Sequence, residues 1–282
     1  MLNYSPKILV TGAAGQLGQT LAQHQPPSAQ LHACTRTELD ITDLNQVKTV
    51  LASTQPDVVI NAAAFTAVDK AESEQATCLA INEVGPQNLA KICEAMQIPL
   101  IHLSTDYVFS GKKASPYLET DETDPINYYG LSKQLGEEAV RNRCEKHLIL
   151  RVSGLFSQYG QNFVKTMLRL LAEKPALRVV ADQTLCPTST HDIAKTLWTL
   201  ATQKLTHWGT YHYASREAVS WFGFTQAIAE IAGRNTPITP ITTAEYPTPA
   251  KRPAYSALNC DKIHRDYGVE QPDWRAGLRV VI

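Results

Sequence analysis

Short apolar runs alternate with amphipathic stretches throughout the first half of the chain. Continuous apolar strands separated by helices are typical of βαβ units, in which helices cover both faces of a parallel sheet. The pattern predicts strands at 7–11, 30–34, 57–61, 100–104 and 148–152, and helices at 16–24, 44–54, 76–96 and 128–143. The predicted fold class is therefore α/β, with a doubly wound parallel sheet.

The pattern loosens in the second half. It predicts helices at 163–171, 221–232 and 258–267, one strand at 210–214, and an extended or loop segment at 236–253, which holds five prolines. We expect residues 1–155 to form the main domain, with segments near 178–214 returning to it. The remaining segments of 156–282 should form a smaller C-terminal lobe over the carboxyl edge of the sheet, where such folds bind ligands.

Composition and charge exclude several classes of protein. The 282 residues have a net charge of -1, which offers no basic surface to nucleic acid or to an anionic membrane. No run approaches the ~20 apolar residues of a membrane span, and the N-terminus lacks the features of a secretory signal. The six cysteines form no CxxC pair or zinc-type cluster. We expect a cytoplasmic protein with reduced thiols and no metal site, which binds neither nucleic acid nor membrane.

The first predicted strand runs directly into a glycine-rich turn, Gly12-Ala-Ala-Gly15-Gln-Leu-Gly18. A GxxGxxG sequence between a strand and a helix is typical of the Rossmann-type dinucleotide-binding fold, although by itself it can also be a plain strand–helix turn. The glycines let the backbone approach a pyrophosphate, and the helix N-terminus offers N–H groups to its oxygens. The amides of Gln16 and Leu17 are the expected donors.

The end of the second strand should select between NADH and NADPH. An acidic residue there binds the ribose hydroxyl of NAD, whereas an arginine accommodates the 2′-phosphate of NADP. The sequence is Cys34-Thr-Arg36-Thr-Glu38. Arg36 favours NADPH, with NADH and an ordinary surface arginine as the alternatives.

Three small residues follow the third predicted strand: Ala62, Ala63 and Ala64. Small side chains at the carboxyl end of a strand leave room for an adenosine or a ribose against the backbone. Close packing of small residues is the alternative interpretation.

Tyr129 and Lys133 lie four residues apart on one predicted helix, and therefore share a face. A free tyrosine has a pKa near ~10, and a nearby ammonium group lowers that value by stabilising the phenolate. A pKa close to the working pH makes proton transfer efficient. The pair is thus a candidate general acid/base with its supporting cation.

Hydroxyl side chains follow the fourth predicted strand, at the same edge of the sheet. Ser104 and Thr105 are adjacent, so in a strand they point in opposite directions and only one of them can face a substrate.

Together these features resemble the extended short-chain dehydrogenase/reductases, and more closely the dTDP-4-dehydrorhamnose reductase family. The resemblance covers essentially the whole chain. Its motifs are 11–18 (TGAAGQLG), 39–42 (LDIT), 61–72 (NAAAFTAVDKAE), 104–109 (STDYVF), 129–133 (YGLSK), 162–163 (NF), 182–183 (DQ), 187–188 (PT) and 252–253 (RP) before Ser256.

The resemblance implies NAD(P)H-dependent reduction of the C4 keto group of dTDP-4-dehydro-L-rhamnose to dTDP-L-rhamnose. It implies that Thr105, Tyr129 and Lys133 are catalytic, with the proton coming from Tyr129 and Thr105 bonding the same oxygen. It also implies contacts of Val68, Asp106 and Tyr107 with the sugar, of Asp40 and Ile41 with adenine, of Ala62 to Ala64 with the cofactor, and of Asn162, Gln183 and Arg252 with the nucleotide diphosphate. Arg252 suits phosphate oxygens, but a salt-bridged loop arginine is the alternative.

The chain departs from the family pattern at two places. Many members carry an aromatic residue after the strand at 148–152, close to the sugar, where this chain has Gly154. Some members form a metal-bridged dimer through acidic residues; here the first such position is Gln19-Thr20, and the chain ends early at Ile282. We therefore expect no metal, and either a monomer or a homodimer.

Two other functions fit the same residues. One is a different nucleotide-4-ketosugar reductase or an epimerase, and epimerases commonly retain NAD. The other is a non-catalytic regulatory subunit that resembles the beta subunit of methionine adenosyltransferase. The intact set of Thr105, Tyr129 and Lys133 argues against the second.

Overall fold

The computed structural model describes residues 5–282. Its first half alternates strands and helices as the hydrophobic pattern predicts. The strands are β1 (Lys7–Thr11), β2 (Gln30–Cys34), β3 (Val58–Asn61), β4 (Leu100–Thr105) and β5 (His147–Val152). The helices are α1 (Gln16–Gln23), α2 (Leu44–Thr54), α3 (Val68–Ala71), α4 (Gln75–Leu79), α5 (Gly85–Met96) and α6 (Tyr128–Arg141).

The second half contains shorter strands between longer helices. The strands are β6 (Leu155–Phe156), β7 (Leu177–Val180), β8 (Thr184–Leu185), β9 (Thr188–Ser189), β10 (Gly209–His212), β11 (Val219–Ser220) and β12 (Ile238–Ile241). The helices are α7 (Phe163–Glu173), α8 (Thr190–Thr202), α9 (Trp221–Ile231), α10 (Asp261–Tyr267) and α11 (Trp274–Val281).

Six strands form one parallel sheet in the order β10-β5-β4-β3-β1-β2. One apolar cluster packs α1, α8 and α10 against one face, and a second packs α2, α5 and α6 against the other. The chain order reverses between β1 and β3, which is the place where doubly wound sheets bind their ligands. The prediction of a Rossmann-type α/β fold is confirmed.

A third apolar cluster lies within the second half. It joins α7, α9 and α11 to the strands β7 and β12, which pair in parallel. The segment between these parts returns to the main sheet: Trp198 of α8 donates a hydrogen bond to the Leu21 carbonyl (3.1 Å), and β10 extends the sheet beyond β5. The division into a cofactor-binding domain and a substrate-binding lobe stays a prediction.

The structure corrects two of the predicted helices and adds helices that the pattern did not indicate, of which α8 is the longest. The single helix at 76–96 is interrupted by a π-helical turn at Ala80–Val84, where the Asn82 carbonyl packs directly against Gly136 of α6. The helix expected at 258–267 begins only at Asp261. Helix α8 was not predicted at all, although its buried residues, among them Ile193 and Leu197, follow helical spacing.

Among residues 5–282, no helix is both long enough and apolar enough to cross a membrane.

Candidate active site

The carboxyl ends of β1, β3, β4 and β5 open into a cleft of about 520 Å³. Many of the sequence-predicted residues line it, although they come from distant parts of the chain. They are Gly15, Gln16, Leu17, Ala62, Ala64, Val68, Thr105, Asp106, Tyr107, Tyr129, Lys133 and Asn162. The cleft is therefore the candidate active site.

The glycine turn is shaped by close backbone contacts. Gly12 has a φ of +70°, and a Cβ atom on it would lie 2.7 Å from the backbone nitrogen of Ala63. A Cβ atom on Gly18 would collide with the Gly12 carbonyl oxygen. Helix α1 follows with Gly15 as its N-cap, and no side chain caps its first turn by a hydrogen bond. The residues therefore fit a bound dinucleotide, whose pyrophosphate can accept from backbone amides at a helix N-terminus.

A loop from the second half is tied across this turn by Gln16. The Gln16 Oε1 atom accepts hydrogen bonds from Ser157 Oγ and Asn162 Nδ2, both at 2.9 Å. The other side of the Asn162 amide caps α7 by accepting from the Lys165 backbone (3.1 Å). Asn162 is therefore held in the cleft wall by protein contacts, and its contact with a nucleotide diphosphate stays a prediction.

Tyr129 and Lys133 share the face of α6 that borders the cleft. The Asn127 side chain caps this helix by accepting a hydrogen bond from the Gly130 backbone (2.7 Å). Lys133 is 2% exposed, and its Nζ atom donates to the Leu103 carbonyl at 2.6 Å. Burial lowers the pKa of Lys133 to about 8, although the Glu137 carboxylate opposes the shift.

The expectation that Lys133 lowers the pKa of Tyr129 is wrong for this structure. Burial raises the pKa of Tyr129, and a hydrogen bond with Thr105 only partly opposes that effect. The Lys133 ammonium group is directed to the Leu103 carbonyl, so it does not dominate the phenol's surroundings. The phenol is protonated at neutral pH, as an ordinary tyrosine also is, and the raised pKa makes it a weaker acid.

Ser104 and Thr105 point to opposite sides of β4, as the strand geometry predicts. Ser104 also borders the cleft, but its Oγ atom donates to the buried Glu137 carboxylate at 2.6 Å and is engaged there. Thr105 lines the cleft beside Tyr129, and its Oγ1 atom donates to Asp106 Oδ1 at 3.1 Å. Thr105 is thus the hydroxyl that can face a substrate.

Asp106 and Tyr107 follow at the same edge. Both Asp106 oxygens accept hydrogen bonds from protein hydroxyls, with Ser153 at 2.8 Å and Ser256 at 2.6 Å on Oδ2. Burial raises the pKa of Asp106 to about 6, although these hydrogen bonds oppose it. The Tyr107 ring contacts the Tyr129 ring edge-on at 5.9 Å. Contacts of Asp106 and Tyr107 with a sugar stay predictions.

The predicted adenine end of the site lies beyond β2. The exposed Arg36 side chain approaches Asp40, with Nε 3.4 Å from Oδ2. Asp40 Oδ1 accepts from the backbone and the hydroxyl of Thr42, and the buried Ile41 side chain belongs to the core. The exposed guanidinium is therefore free to move toward a ligand. Asp40 can offer a ligand only the hydrogen-bonding capacity that Thr42 and Arg36 leave unused, and the Ile41 side chain is packed in the core.

Gln183 and Arg252 do not line the main cleft. Gln183 lines a small adjoining cavity that also contains Tyr107 and Trp221, and its Nε2 atom donates to Thr243 Oγ1 at 3.0 Å. Arg252 forms a two-point ion pair with Asp69, with Nη1–Oδ1 at 3.1 Å and Nη2–Oδ2 at 2.9 Å. Arg252 is therefore a salt-bridged loop arginine, which was the alternative interpretation of this residue from the sequence.

The structure adds cleft residues that the sequence analysis did not single out. Trp221 and Leu185 line the cleft, and no local motif indicates them. Gly154 has a φ of +54°, and a Cβ atom there would lie 2.6 Å from Leu185 Cδ1. The Leu185 side chain thus occupies the space next to position 154, so residues distant in sequence form the wall there.

Comparisons with known proteins agree with this geometry. The model of the family described as "RmlD substrate binding domain" matches residues 6–282. A dTDP-4-dehydrorhamnose reductase of Sinorhizobium fredii is 41% identical, over 98% of this chain and 96% of its own length. The dTDP-4-dehydrorhamnose reductase of Aggregatibacter actinomycetemcomitans is also 41% identical, over 97% of each chain.

A solved structure has nearly the same fold. The dTDP-4-dehydrorhamnose reductase of Bacillus anthracis, crystallised in complex with NADP, superposes with a TM-score of 0.94 at 36% identity, covering 98% of each chain. The UDP-glucose 4-epimerase of Thermus thermophilus, at 18% identity and a TM-score of 0.83, shares the fold alone. The resemblance found in the sequence is therefore confirmed, and the chain belongs to the dTDP-4-dehydrorhamnose reductase family of oxidoreductases.

Proposed function

We propose that this protein reduces the C4 keto group of dTDP-4-dehydro-L-rhamnose to give dTDP-L-rhamnose, with NADPH as the preferred cofactor. The observation that carries the proposal is the meeting of Thr105, Tyr129 and Lys133 in one cleft, next to an open glycine turn. The names of the full-length relatives support the sugar nucleotide, and the NADP complex of the Bacillus anthracis reductase supports the cofactor.

The residues of the glycine turn suit the cofactor's pyrophosphate. Gly12 and Gly18 allow the close backbone approach, and the uncapped first turn of α1 offers N–H groups. Ala62 and Ala64 border the cleft with small side chains, which leave room for a ribose. When bound, the reduced nicotinamide supplies the hydride that reaches C4 of the sugar.

Tyr129 supplies the proton. As C4 is reduced, negative charge develops on O4, and the Tyr129 phenol donates its proton to that atom. Lys133 lies one helical turn from Tyr129, and its ammonium group, which bonds the Leu103 carbonyl in this structure, can support the phenolate only by turning toward it as the proton is transferred. The Thr105 hydroxyl, which donates to Asp106 Oδ1 in this structure, turns to donate to O4 and orients the carbonyl toward Tyr129.

Apolar residues of the cleft lining provide a surface against which the sugar can pack. They are Val68, Leu155, Leu185 and Trp221, and Tyr107 lines the cleft as well. We infer that the second half of the chain forms the substrate-binding lobe, with Asn162 and Gln183 on the side of the nucleotide diphosphate.

A coupled assay tests the proposal. Purified protein is given NADPH or NADH with a panel of nucleotide 4-keto sugars, and loss of the reduced nicotinamide's absorbance is followed. We expect turnover with dTDP-4-dehydro-L-rhamnose and much slower turnover with UDP- and GDP-linked ketosugars. Protein that purifies with tightly held NAD and does not turn over the dTDP sugar would instead support an epimerase.

Arg36 gives a prediction about the cofactor. The Arg36→Ala variant should raise the KM for NADPH by about tenfold, the effect of losing one hydrogen-bonded charge contact, and leave the KM for NADH within a factor of about two. Initial rates with each cofactor measure the difference. An equal loss for both cofactors would show that Arg36 does not recognise the 2′-phosphate.

A further inference from the structure

The ion pair between Asp69 and Arg252 joins two segments that are far apart in the sequence. Asp69 lies on the short helix α3, and Arg252 lies in the proline-rich segment. The guanidinium donates to both carboxylate oxygens, at 3.1 and 2.9 Å, and also to Thr248 Oγ1 (2.7 Å) and the Ala250 carbonyl (3.0 Å). The Ala250 backbone N–H donates to Asp69 Oδ1 at 3.2 Å.

This geometry satisfies both partners. The carboxylate receives the guanidinium at two points as well as a backbone N–H. Hydrogen bonds from Arg252 lower the pKa of Asp69, so the carboxylate stays ionised at neutral pH. The guanidinium also folds back on its own segment through Thr248 and Ala250. Both terminal nitrogens of Arg252 are therefore engaged within the protein, in an arrangement that fixes the backbone from 248 to 252.

Each side of the pair is next to the candidate active site. Val68, the neighbour of Asp69, lines the main cleft. On the other side, Pro253 and Ser256 line the small adjoining cavity beside Tyr107. The Lys251 carbonyl accepts a hydrogen bond from Asn127 (2.7 Å), the residue that caps the helix carrying Tyr129. The ion pair thus ties a wall of the substrate region to α3 and to the start of α6.

We propose that Asp69 and Arg252 act together as a clasp, a pair of positioning residues that hold the 248–256 segment closed along the substrate region, and that Arg252 does not bind the substrate's diphosphate. The inference rests on the proposed function for its substrate. It assigns a role to Asp69, and it replaces the phosphate contact expected for Arg252 with an indirect one. An arginine that bound phosphate at two points would need its terminal nitrogens to face the ligand, whereas here Nη1 and Nη2 face Asp69, the Thr248 hydroxyl and the Ala250 carbonyl.

The Asp69→Asn variant separates the two roles because they predict opposite signs. If the pair is a clasp, the variant loosens the segment, and the KM for dTDP-4-dehydro-L-rhamnose rises about tenfold, as expected for loss of hydrogen bonds to a charged group. The kcat and the KM for NADPH should change by less than about twofold. If Arg252 binds diphosphate, the variant frees its guanidinium, and the KM stays the same or falls.

Two further variants complete the kinetic test. The Arg252→Asp variant raises the KM for the substrate under either role. The exchanged pair Asp69→Arg/Arg252→Asp restores this KM to within about threefold of the native value only if the pair is a clasp. Failure of the exchange together with an unchanged KM in Asp69→Asn would overturn the proposal. Asp124→Asn is the matched control, since it removes an exposed aspartate–lysine pair with Lys112 (3.3 Å) and should leave every constant unchanged.

Hydrogen exchange makes the test independent of the substrate's identity. The Ala250 amide donates to Asp69 Oδ1, and the carboxamide in Asp69→Asn keeps an oxygen that can accept this bond, so exchange about tenfold faster in this variant reports loosening of the segment and not loss of the acceptor. Unaltered exchange in Asp69→Asn would contradict the clasp. Native protein that fails to turn over the dTDP sugar would contradict the proposed function alone, because the exchange measurement still reports on the clasp.

Discussion

The Tyr129→Phe variant should lower kcat by roughly 10²–10⁴, the range expected when a general acid is removed. The ring and its packing against Tyr107 are retained, so only the hydroxyl that donates the proton is lost. Because the reaction needs the proton in its slow step rather than for binding, the KM for NADPH and its dissociation constant should stay near native values. Steady-state kinetics and direct titration with NADPH measure the two quantities.

The preceding residue provides a matched control. Tyr128 is the first residue of α6, and its backbone, not its hydroxyl, bonds to Glu72 (2.8 Å). Tyr128→Phe removes the phenolic hydroxyl of the neighbouring tyrosine and should leave kcat unchanged. If Tyr129→Phe turned over the ketosugar at the native rate, or if both variants lost activity equally, the assignment of the proton donor to Tyr129 would be wrong.

The hydrophobic pattern determines most of the fold because the inner strands of the sheet, such as β3 and β4, are buried on both faces. The five predicted strands in the first half occur within one residue of the expected bounds, since a continuous apolar run such as 58–60 is fully buried in a parallel sheet that helices cover on both faces. The break at Ala80–Val84 was not predictable in this way. It depends on contact between the Asn82 carbonyl and Gly136, which lie on different helices.

The candidate site was predictable where a local motif carries the chemistry. The glycine turn and the Tyr129–Lys133 pair are each contained within a short stretch of sequence, and the structure brings them into one cleft. The electrostatics were not predictable, because burial of Tyr129 outweighs the effect expected from Lys133. Trp221 and Leu185 reach the cleft only through the folding of the second half. The Asp69 partner of Arg252 is likewise a tertiary contact between segments that the sequence keeps apart.

The Glu137→Leu variant should reduce the free energy of unfolding by about 3–5 kcal/mol, because it leaves a buried cation without its carboxylate. Glu137 is fully buried on α6 and pairs with Arg151 of β5, which is 3% exposed. Two hydrogen bonds join them, Nε–Oε1 at 2.8 Å and Nη2–Oε2 at 2.7 Å. Among residues 5–282, Glu137 is the one carboxylate in ion-pair contact with Arg151. Chemical denaturation at neutral pH measures the loss.

The effect should depend on pH with a definite sign. Burial favours the neutral acid, but the hydrogen bonds and charge of Arg151 outweigh it and lower the pKa of Glu137. A carboxyl whose folded pKa is lowered contributes stability above its unfolded pKa, near ~4.3, and loses it as the pH falls through the folded value. The difference in stability between native protein and Glu137→Leu should therefore be constant at neutral pH and shrink below about pH 4.

Replacement of Arg151 should reduce the free energy of unfolding by less than replacement of Glu137. In Arg151→Met, Glu137 keeps Arg141, whose Nη1 atom lies 3.1 Å from Oε2, and the hydrogen bond from Ser104. The double variant Glu137→Leu/Arg151→Met removes both buried charges, and replacement of a buried pair by apolar residues is often neutral or stabilising. We therefore expect the double variant to be more stable than Glu137→Leu alone. Additive losses in the double variant would show that packing around α6, rather than the unpaired Arg151 cation, causes the effect.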